Sequence, residues 1–364
     1  MSEKKTLAVL GMGWIGEHIV PCCASLLGPD YGSRMFASKK SPQRLVELRD
    51  KYPFLIIAGD SYEQLIAFQP SYIIISVKPD QVAGLTESTL APYFRLLRQS
   101  CSPLPLLLSF APSPTASYFT KTLGPDVQAA TILPAMETHI HGWNVYALAE
   151  NTVAHDPQSP LSEESQAAVE HFLRPLGFVT PCTSEEALLL VSMKICYHML
   201  YLACFYFEER LKVQHPALTF QQSAEILRFL HRERTSPPLS SGYPLPAMKA
   251  NKLPALLCSF EEAWFDGALS YVLEQGVRPS VALRSAHGSF ELHALSVQLE
   301  DRDFLEKKLR EHATPGGLTE AAVKEFYRNC LPLLQTASPS REDIFQCAFS
   351  LTEVVHRRGK TVAD

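Results

Sequence analysis

One short segment constrains this chain more than any other: Gly11-Met12-Gly13-Trp14-Ile15-Gly16, preceded by the apolar run Thr6–Leu10 and overlapping a stretch, Trp14–Leu27, with helical character. Glycines at this spacing let a backbone turn sharply out of a strand, leave room for a pyrophosphate, and let the following helix pack closely on its strand. The free N–H groups and the dipole at the start of that helix favour negative charge. Alone the motif is weak, but strand, glycine turn, helix and a further strand is the context a dinucleotide site requires. Residues Gly11, Met12, Gly13, Trp14, Ile15 and Gly16 are therefore expected to line a cofactor; a tight turn without ligand is the plain alternative.

The pattern around the turn repeats. Apolar runs at Arg34–Ala37, Phe54–Ala58, Tyr72–Val77 and Leu104–Phe110 read as parallel strands covered on both faces, with helices between them at Pro42–Tyr52, Tyr62–Phe68 and Pro79–Arg98. This predicts a doubly wound, mostly parallel α/β domain of the Rossmann type. A strand pair, Ala129–Leu133 and Val145–Ala149, is expected next, and the polar stretch Asn151–Pro160 reads as a link, which places a domain boundary at residues 155/156. Beyond it the periodicity is helical to the end, so 1–155 is expected to be the nucleotide-binding domain and 156–364 an all-α domain. Pro237, Pro238, Pro244, Pro246 and Pro254 with Ser and Gly make 235–254 a loop or lid, within an insertion spanning about 213–257.

The end of the second strand discriminates between cofactors. A carboxylate there would bind a ribose 2′-hydroxyl and repel a 2′-phosphate. Ser38, Lys39 and Lys40 instead offer a hydroxyl and two ammonium groups, so NADP, with NADPH preferred over NADH, is the expected cofactor; a solvated basic turn is the alternative. Val77, Lys78 and Pro79, at the carboxyl end of another apolar strand, stand where such sheets bind ligands.

Composition removes several function classes. A net charge of −5 and no long Lys/Arg run leave no electrostatic footprint for nucleic acid or an anionic membrane. No apolar stretch reaches the roughly 18–20 residues of a membrane span. Nine cysteines without a CxxC pair or zinc spacing read as reduced thiols, and the N-terminal run leads into glycine-turn chemistry rather than a cleavage site, so a cytoplasmic chain is expected.

Further residues carry a family likeness. Met12 in the turn, Phe36–Pro42 (FASKKSP), Ile75–Pro79 (ISVKP) and above all Thr314-Pro315-Gly316-Gly317-Leu318-Thr319 resemble pyrroline-5-carboxylate reductases, over about Leu7–Gly177 and Phe260–Val355. The resemblance implies an NAD(P)H-dependent reduction of a cyclic imine to an amino acid, and a homodimer built through the C-terminal helices. It also implies that Thr319 hydrogen-bonds the imine nitrogen, while Thr314 and the amides of Gly316 and Gly317 hold the substrate carboxylate. Unpaired amides ahead of a helix suit a carboxylate on physical grounds too; a plain helix start with a capping threonine is the alternative. Two departures bear on the substrate. Ile132–Glu137 lacks the family's asparagine, and Ser192–Tyr197 replaces a glycine- and proline-containing turn with bulky residues and Lys194.

Lys194 and His198, four apart, share a helical face, as the Lys and Asn of β-hydroxyacid and ketopantoate dehydrogenases do. That resemblance implies ketone or aldehyde reduction with Lys194 as general acid and His198 in the Asn position; a snorkelling lysine and a core histidine are the alternative. His139 and His141 lack a third ligand, so no metal is expected. A non-catalytic, NADP-binding scaffold is the remaining reading.

Overall fold

The computed structural model describes residues 5–59, 62–134, 139–140, 143–144, 150–214, 252–286, 306–307, 309–310, 313, 316–335 and 339–363. They divide into two compact units. The first holds Met1–Thr138 and Ala149–Ala187, the second His139–Leu148 and Leu188–Val362.

The first unit is built on strands β1 (Leu7–Leu10), β2 (Met35–Lys39), β3 (Leu55–Ala58), β4 (Tyr72–Ile75), β5 (Leu106–Ser109) and β6 (Ala129–Leu133), joined later by β9 (Glu150–His155) and β10 (Phe178–Thr183); β7 (His139–Ile140) and β8 (Trp143–Asn144) form a small antiparallel pair assigned to the second unit. The eight strands lie in the order β10-β9-β6-β5-β4-β1-β2-β3. Every pairing is parallel except β6 with β9. This is the doubly wound sheet expected.

Helices cover both faces. They are α1 (Trp14–His18), α2 (Val20–Leu27), α3 (Tyr31–Arg34), α4 (Pro42–Lys51), α5 (Tyr62–Phe68), α6 (Pro79–Leu85), α7 (Ala91–Gln99), α8 (Ala116–Leu123) and α9 (Glu163–Leu173). Alternate residues of each strand feed two separate cores. Leu7, Val9 and Ile74 join Ile19, Leu48 and Phe172 on one face, while Ala8, Leu10 and Ile75 join Leu85, Phe94 and Phe119 on the other. Burial of each such large side chain contributes roughly 1.5–3 kcal/mol, which explains why both faces of these strands are apolar.

Three expectations change. The supposed link Asn151–Pro160 contains β9, with Asn151 and Thr152 fully buried, and the first unit continues through α9 and β10 to Ala187 rather than ending at residue 155. Polar residues in β9 and Pro181 in β10 concealed these strands; β10 is the sheet's edge, where a missing N–H is tolerated. Trp14–Leu27 is two helices that meet at Ile19, because Pro21 starts the second. The expected helix Pro79–Arg98 contains a π-helical turn, Thr86–Leu90, and a second such turn, Phe326–Cys330, interrupts the helical run Leu318–Leu334. Each turn lies just before a proline, Pro92 and Pro332, whose missing N–H a widened turn accommodates without breaking the helix.

The second unit is helical: α10 (Ser184–Gln214), which starts at the end of the first unit, then α11 (Lys252–Glu274), α12 (Leu318–Glu325), α13 (Leu331–Leu334) and α14 (Arg341–Ala363). Glycines bring these helices close. A side chain at Gly267 of α11 would overlap the Phe345 carbonyl of α14, and one at Gly359 of α14 would overlap Leu188 of α10. Residues 252–254 of the expected loop 235–254 already belong to α11, whereas the rest of that loop, most of the insertion 213–257 and the expected strand Val145–Ala149 lie outside the described residues. No helix among the described residues is long and apolar enough to cross a membrane.

Candidate functional site

The sheet changes winding direction at β1: β2 lies on one side and β4 on the other, so the crevice beyond their carboxyl ends is the switch point at which such sheets accept ligands. The glycine turn occupies it. Gly11 has a φ of +98°, and a Cβ there would come within 2.6 Å of Val77 Cγ1. Gly16 packs tightly, its Cβ position 2.9 Å from the Gly11 carbonyl oxygen and 3.3 Å from Ser76 Oγ. A Cβ added at Gly13 would meet nothing within 4 Å. The first and third glycines thus serve close packing, whereas the middle one leaves the approach to the turn open. Gly13 also caps α1 without a side-chain hydrogen bond.

The chain itself braces the turn. The Gly11 N–H donates to Ser38 Oγ (3.1 Å), the Met12 N–H to the Ser38 carbonyl (2.7 Å), and the Gly13 N–H to the Gly11 carbonyl (2.8 Å). Ser76 Oγ donates to the Gly11 carbonyl from the other side at 2.8 Å. Ser38 is fully buried, so its hydroxyl lies beneath the turn; the expectation that it meets a phosphate is corrected to a bracing role. Ser76 escaped the sequence reading, and its one signal is a hydroxyl placed directly after the apolar residues of β4.

The other expected cofactor residues fall around the same crevice. Lys39 is half-buried at the end of β2 and Lys40 is exposed beyond it. Val77 borders Gly11, Lys78 is exposed as N-cap of α6, and Pro79 is its first residue. Met12 is fully buried, Ile15 half-buried against the core, and Trp14 60% exposed, its ring 5.1 Å from that of His18. Glu17 fixes α1 to α4 through Lys51 (2.9 Å) and Arg44. Partial burial pushes its carboxyl up, but the hydrogen bond from Lys51 and the charge of Arg44 outweigh this and leave it below its ordinary range. The residues fit a nucleotide: an open glycine, an amide-rich helix start and, at the end of β2, two cations and no carboxylate.

The second glycine cluster lies in the second unit. Gly316 has a φ of +74°, Gly317 is the N-cap of α12, and Thr319 is half-buried in its first turn; Thr314 lies outside the described residues. The Gly316 amide, expected to be open to a substrate carboxylate, already donates to Glu320 Oε2 at 2.8 Å. Lys324 pairs with the other oxygen of Glu320 (2.9 Å), and Arg358 Nε donates to the Gly316 carbonyl (2.9 Å). Those hydrogen bonds, Lys324's first, hold the Glu320 carboxyl below its ordinary range. Glu320 was legible as an acidic residue in a first helical turn, whereas nothing in the sequence linked Arg358 to this place.

Lys194 is half-buried and His198 exposed on α10, among the buried Met193, Cys196 and Tyr197. A buried pair absent from the sequence reading joins α11 to α14: the Tyr271 hydroxyl lies 2.8 Å from His356 Nδ1. Burial, with Lys360 nearby, lowers the imidazole to about 4. His139 lies in β7, and His141 is outside the described residues. Among the described residues no three His, Cys, Asp or Glu side chains gather as a metal site.

No protein-family model matches the chain, and no curated protein is recognisably similar to it in sequence. Among solved structures it is similar to a Plasmodium falciparum pyrroline carboxylate reductase with NADP bound, at 12% identity over 100% of this chain and 99% of that one, with a TM-score of 0.43. It is similar to a pyrroline-5-carboxylate reductase from Coxiella burnetii at 15% identity over 100% of both chains, TM-score 0.44. A Mycobacterium tuberculosis 3-hydroxyisobutyrate dehydrogenase described with L-serine matches at 12% identity over 84% of this chain and 99% of that one, TM-score 0.44. Likenesses this distant assign neither cofactor nor substrate.

Proposed function

We propose that the chain is an NADPH-dependent oxidoreductase that reduces the C=N bond of a small, carboxylate-bearing cyclic imine. The observation that carries the reading is the switch-point cradle, in which Gly13 stands open, Gly11 and Gly16 are closed by packing, and the second strand ends in Lys39 and Lys40. NADPH supplies a hydride when bound. The chain's residues supply the rest. The first turn of α1 meets the pyrophosphate, and the two lysines meet the 2′-phosphate. Val77, Lys78 and Pro79 form the wall of the crevice. In the second unit the Thr319 hydroxyl would donate a hydrogen bond to the imine nitrogen, which would draw its proton from water, and the amides near Gly317, with Thr314, would hold the acid group. The reading includes a homodimer formed through the C-terminal helices, which light scattering of the purified chain tests.

A second reading, carbonyl reduction with Lys194 as proton donor and His198 beside it, is favoured by the half-buried setting of Lys194 on α10. The deciding experiment follows NADPH absorbance with a panel of cyclic imines and of keto acids, in the wild type, Thr319→Ala and Lys194→Ala. Consumption with imines alone, lost in Thr319→Ala and kept in Lys194→Ala, is the expected result. Turnover of keto acids that disappears in Lys194→Ala would replace it with the second reading. NADPH binding without turnover of either panel would leave a nucleotide-binding scaffold.

A further inference from the structure

Two buried thiols meet in the core of the second unit, outside the residues that the proposed reaction uses. Cys330 is the last residue of the π-turn between α12 and α13, and Cys347 lies seventeen positions on, in α14. Cys330 Sγ is 3.8 Å from the Cys347 carbonyl oxygen, and the two thiols are hydrogen-bonded to each other. Cys330 is 1% exposed and Cys347 8%, so a small polar molecule reaches Cys347 first. The hydrogen bond from Cys330 holds the Cys347 thiol below its ordinary range, against burial and the nearby Asp343 and Glu325. The same bond, with burial, pushes Cys330 up. One sulfur is thus favoured as the nucleophile and the other waits beside it. Cys196 of α10 is close by, but its thiol is engaged by the Ala348 carbonyl at 3.4 Å.

We infer that Cys330 and Cys347 are a reversible redox pair, closed to a disulfide by hydrogen peroxide and reopened by a dithiol. In the first step the Cys347 sulfur attacks one peroxide oxygen: an S–O bond forms, the O–O bond breaks, and the other oxygen leaves as water with the proton of the thiol. Cys330 then attacks the Cys347 sulfur; the S–S bond forms, the S–O bond breaks, and the hydroxyl leaves as water with the proton of Cys330. Two thiols and one peroxide give one disulfide and two waters, and the two electrons lost by sulfur reduce the peroxide. A dithiol reverses this by exchange and is itself left as a disulfide. Closing the pair ties the π-turn to α14. It therefore fixes against α14 the helical run whose first turn carries Thr319.

The test treats the folded, full-length chain with hydrogen peroxide, blocks the remaining thiols with N-ethylmaleimide, and maps the digest by mass spectrometry. A Cys330–Cys347 peptide pair, lighter by two hydrogens and separated by dithiothreitol, is the expected product. The oxidised chain should melt roughly 5–10 °C higher than the reduced one, as a bridge over a short loop implies, and return on reduction. Cys347→Ser and Cys330→Ser should abolish both the linked peptide and the rise. The wild-type map decides even if a serine at either buried position weakens folding. Labelling of both cysteines by maleimide after peroxide has modified the exposed Cys101 would overturn the inference. So would a bridge from either one to Cys196, a sulfinic acid at Cys347 with no bridge, or a Cys330–Cys347 bridge that forms only in urea.

Discussion

The two glycine clusters, at Gly11 and at Gly316, use the same backbone chemistry in opposite ways. At Gly11 the turn's amides are taken by neutral groups of the chain, the Ser38 hydroxyl and the Ser38 and Gly11 carbonyls, and a second hydroxyl from Ser76 secures the Gly11 carbonyl. Neutral, buried partners shape a turn without competing for what approaches it, and the open side lies at Gly13. At Gly316 the amide partner is a charged carboxylate on a flexible stem, and the neighbouring carbonyl is held by an exposed arginine. That cluster is held by groups of the kind a ligand would bring. One turn is braced by neutral groups, the other by charged side chains.

Substitutions can break or sharpen this contrast. The largest effect is expected for Gly11→Ala, which forces a side chain into left-handed backbone and against Val77. It should cost about 2–4 kcal/mol of stability in urea unfolding, with loss of NADPH binding. Acid should have the next largest effect, and on the second unit. His356 is neutral and buried, its folded value of about 4 lying below the ordinary 6.5, so its contribution is fully present above about 6.5 and is lost as pH falls toward 4, while the unfolded chain takes up the proton. The expected loss is on the order of 2 kcal/mol, read as a falling melting temperature over that window, and His356→Gln should flatten it.

Gly13→Ala sharpens the comparison further, because no atom stands within 4 Å of the new methyl. Stability should stay within about 0.5 kcal/mol of wild type. NADPH affinity should fall roughly tenfold, since the methyl takes space needed by the pyrophosphate. A stability loss equal to that of Gly11→Ala would show that the middle glycine serves packing instead. The double change Lys39→Glu, Lys40→Glu should weaken NADPH about fivefold and leave NADH nearly unaffected, with a smaller salt dependence than wild type in titrations at two ionic strengths. The smallest effect belongs to Ser76→Ala. Losing one neutral hydrogen bond costs about 1 kcal/mol, and NADPH should bind two- to threefold more weakly by fluorescence titration.

Where the reading of the sequence succeeded, the cause was local and repeated. Gly11, Gly13 and Gly16 follow an apolar strand and open a helix, and the continuous apolar runs at Tyr72–Ile75 and Leu106–Ser109 reflect burial on both faces, which composition alone reveals. Where it failed, the information was not local. Nothing in Asn151-Thr152-Val153-Ala154 announces a strand, because its backbone is paired only once β6 and β10 lie beside it. Ser38 looked like a ligand because strand ends near a glycine turn hold ligands, yet a register that pairs Leu10 with Ser38 brings its hydroxyl under Gly11.

The amino-acid order by itself determined the doubly wound sheet through residue 133, the position of the glycine turn and the two lysines beside it, since strand burial, glycine freedom and helix polarity are properties of neighbouring residues. Tertiary structure alone decided which groups consume the turn's amides, that Ser76 supports Gly11 across β1 and β4, and that Arg358 meets Gly316 from forty-two positions away in the chain. A hydrogen bond needs its two atoms within about 3 Å, and for residues so far apart in sequence that proximity comes only from how the helices and strands pack.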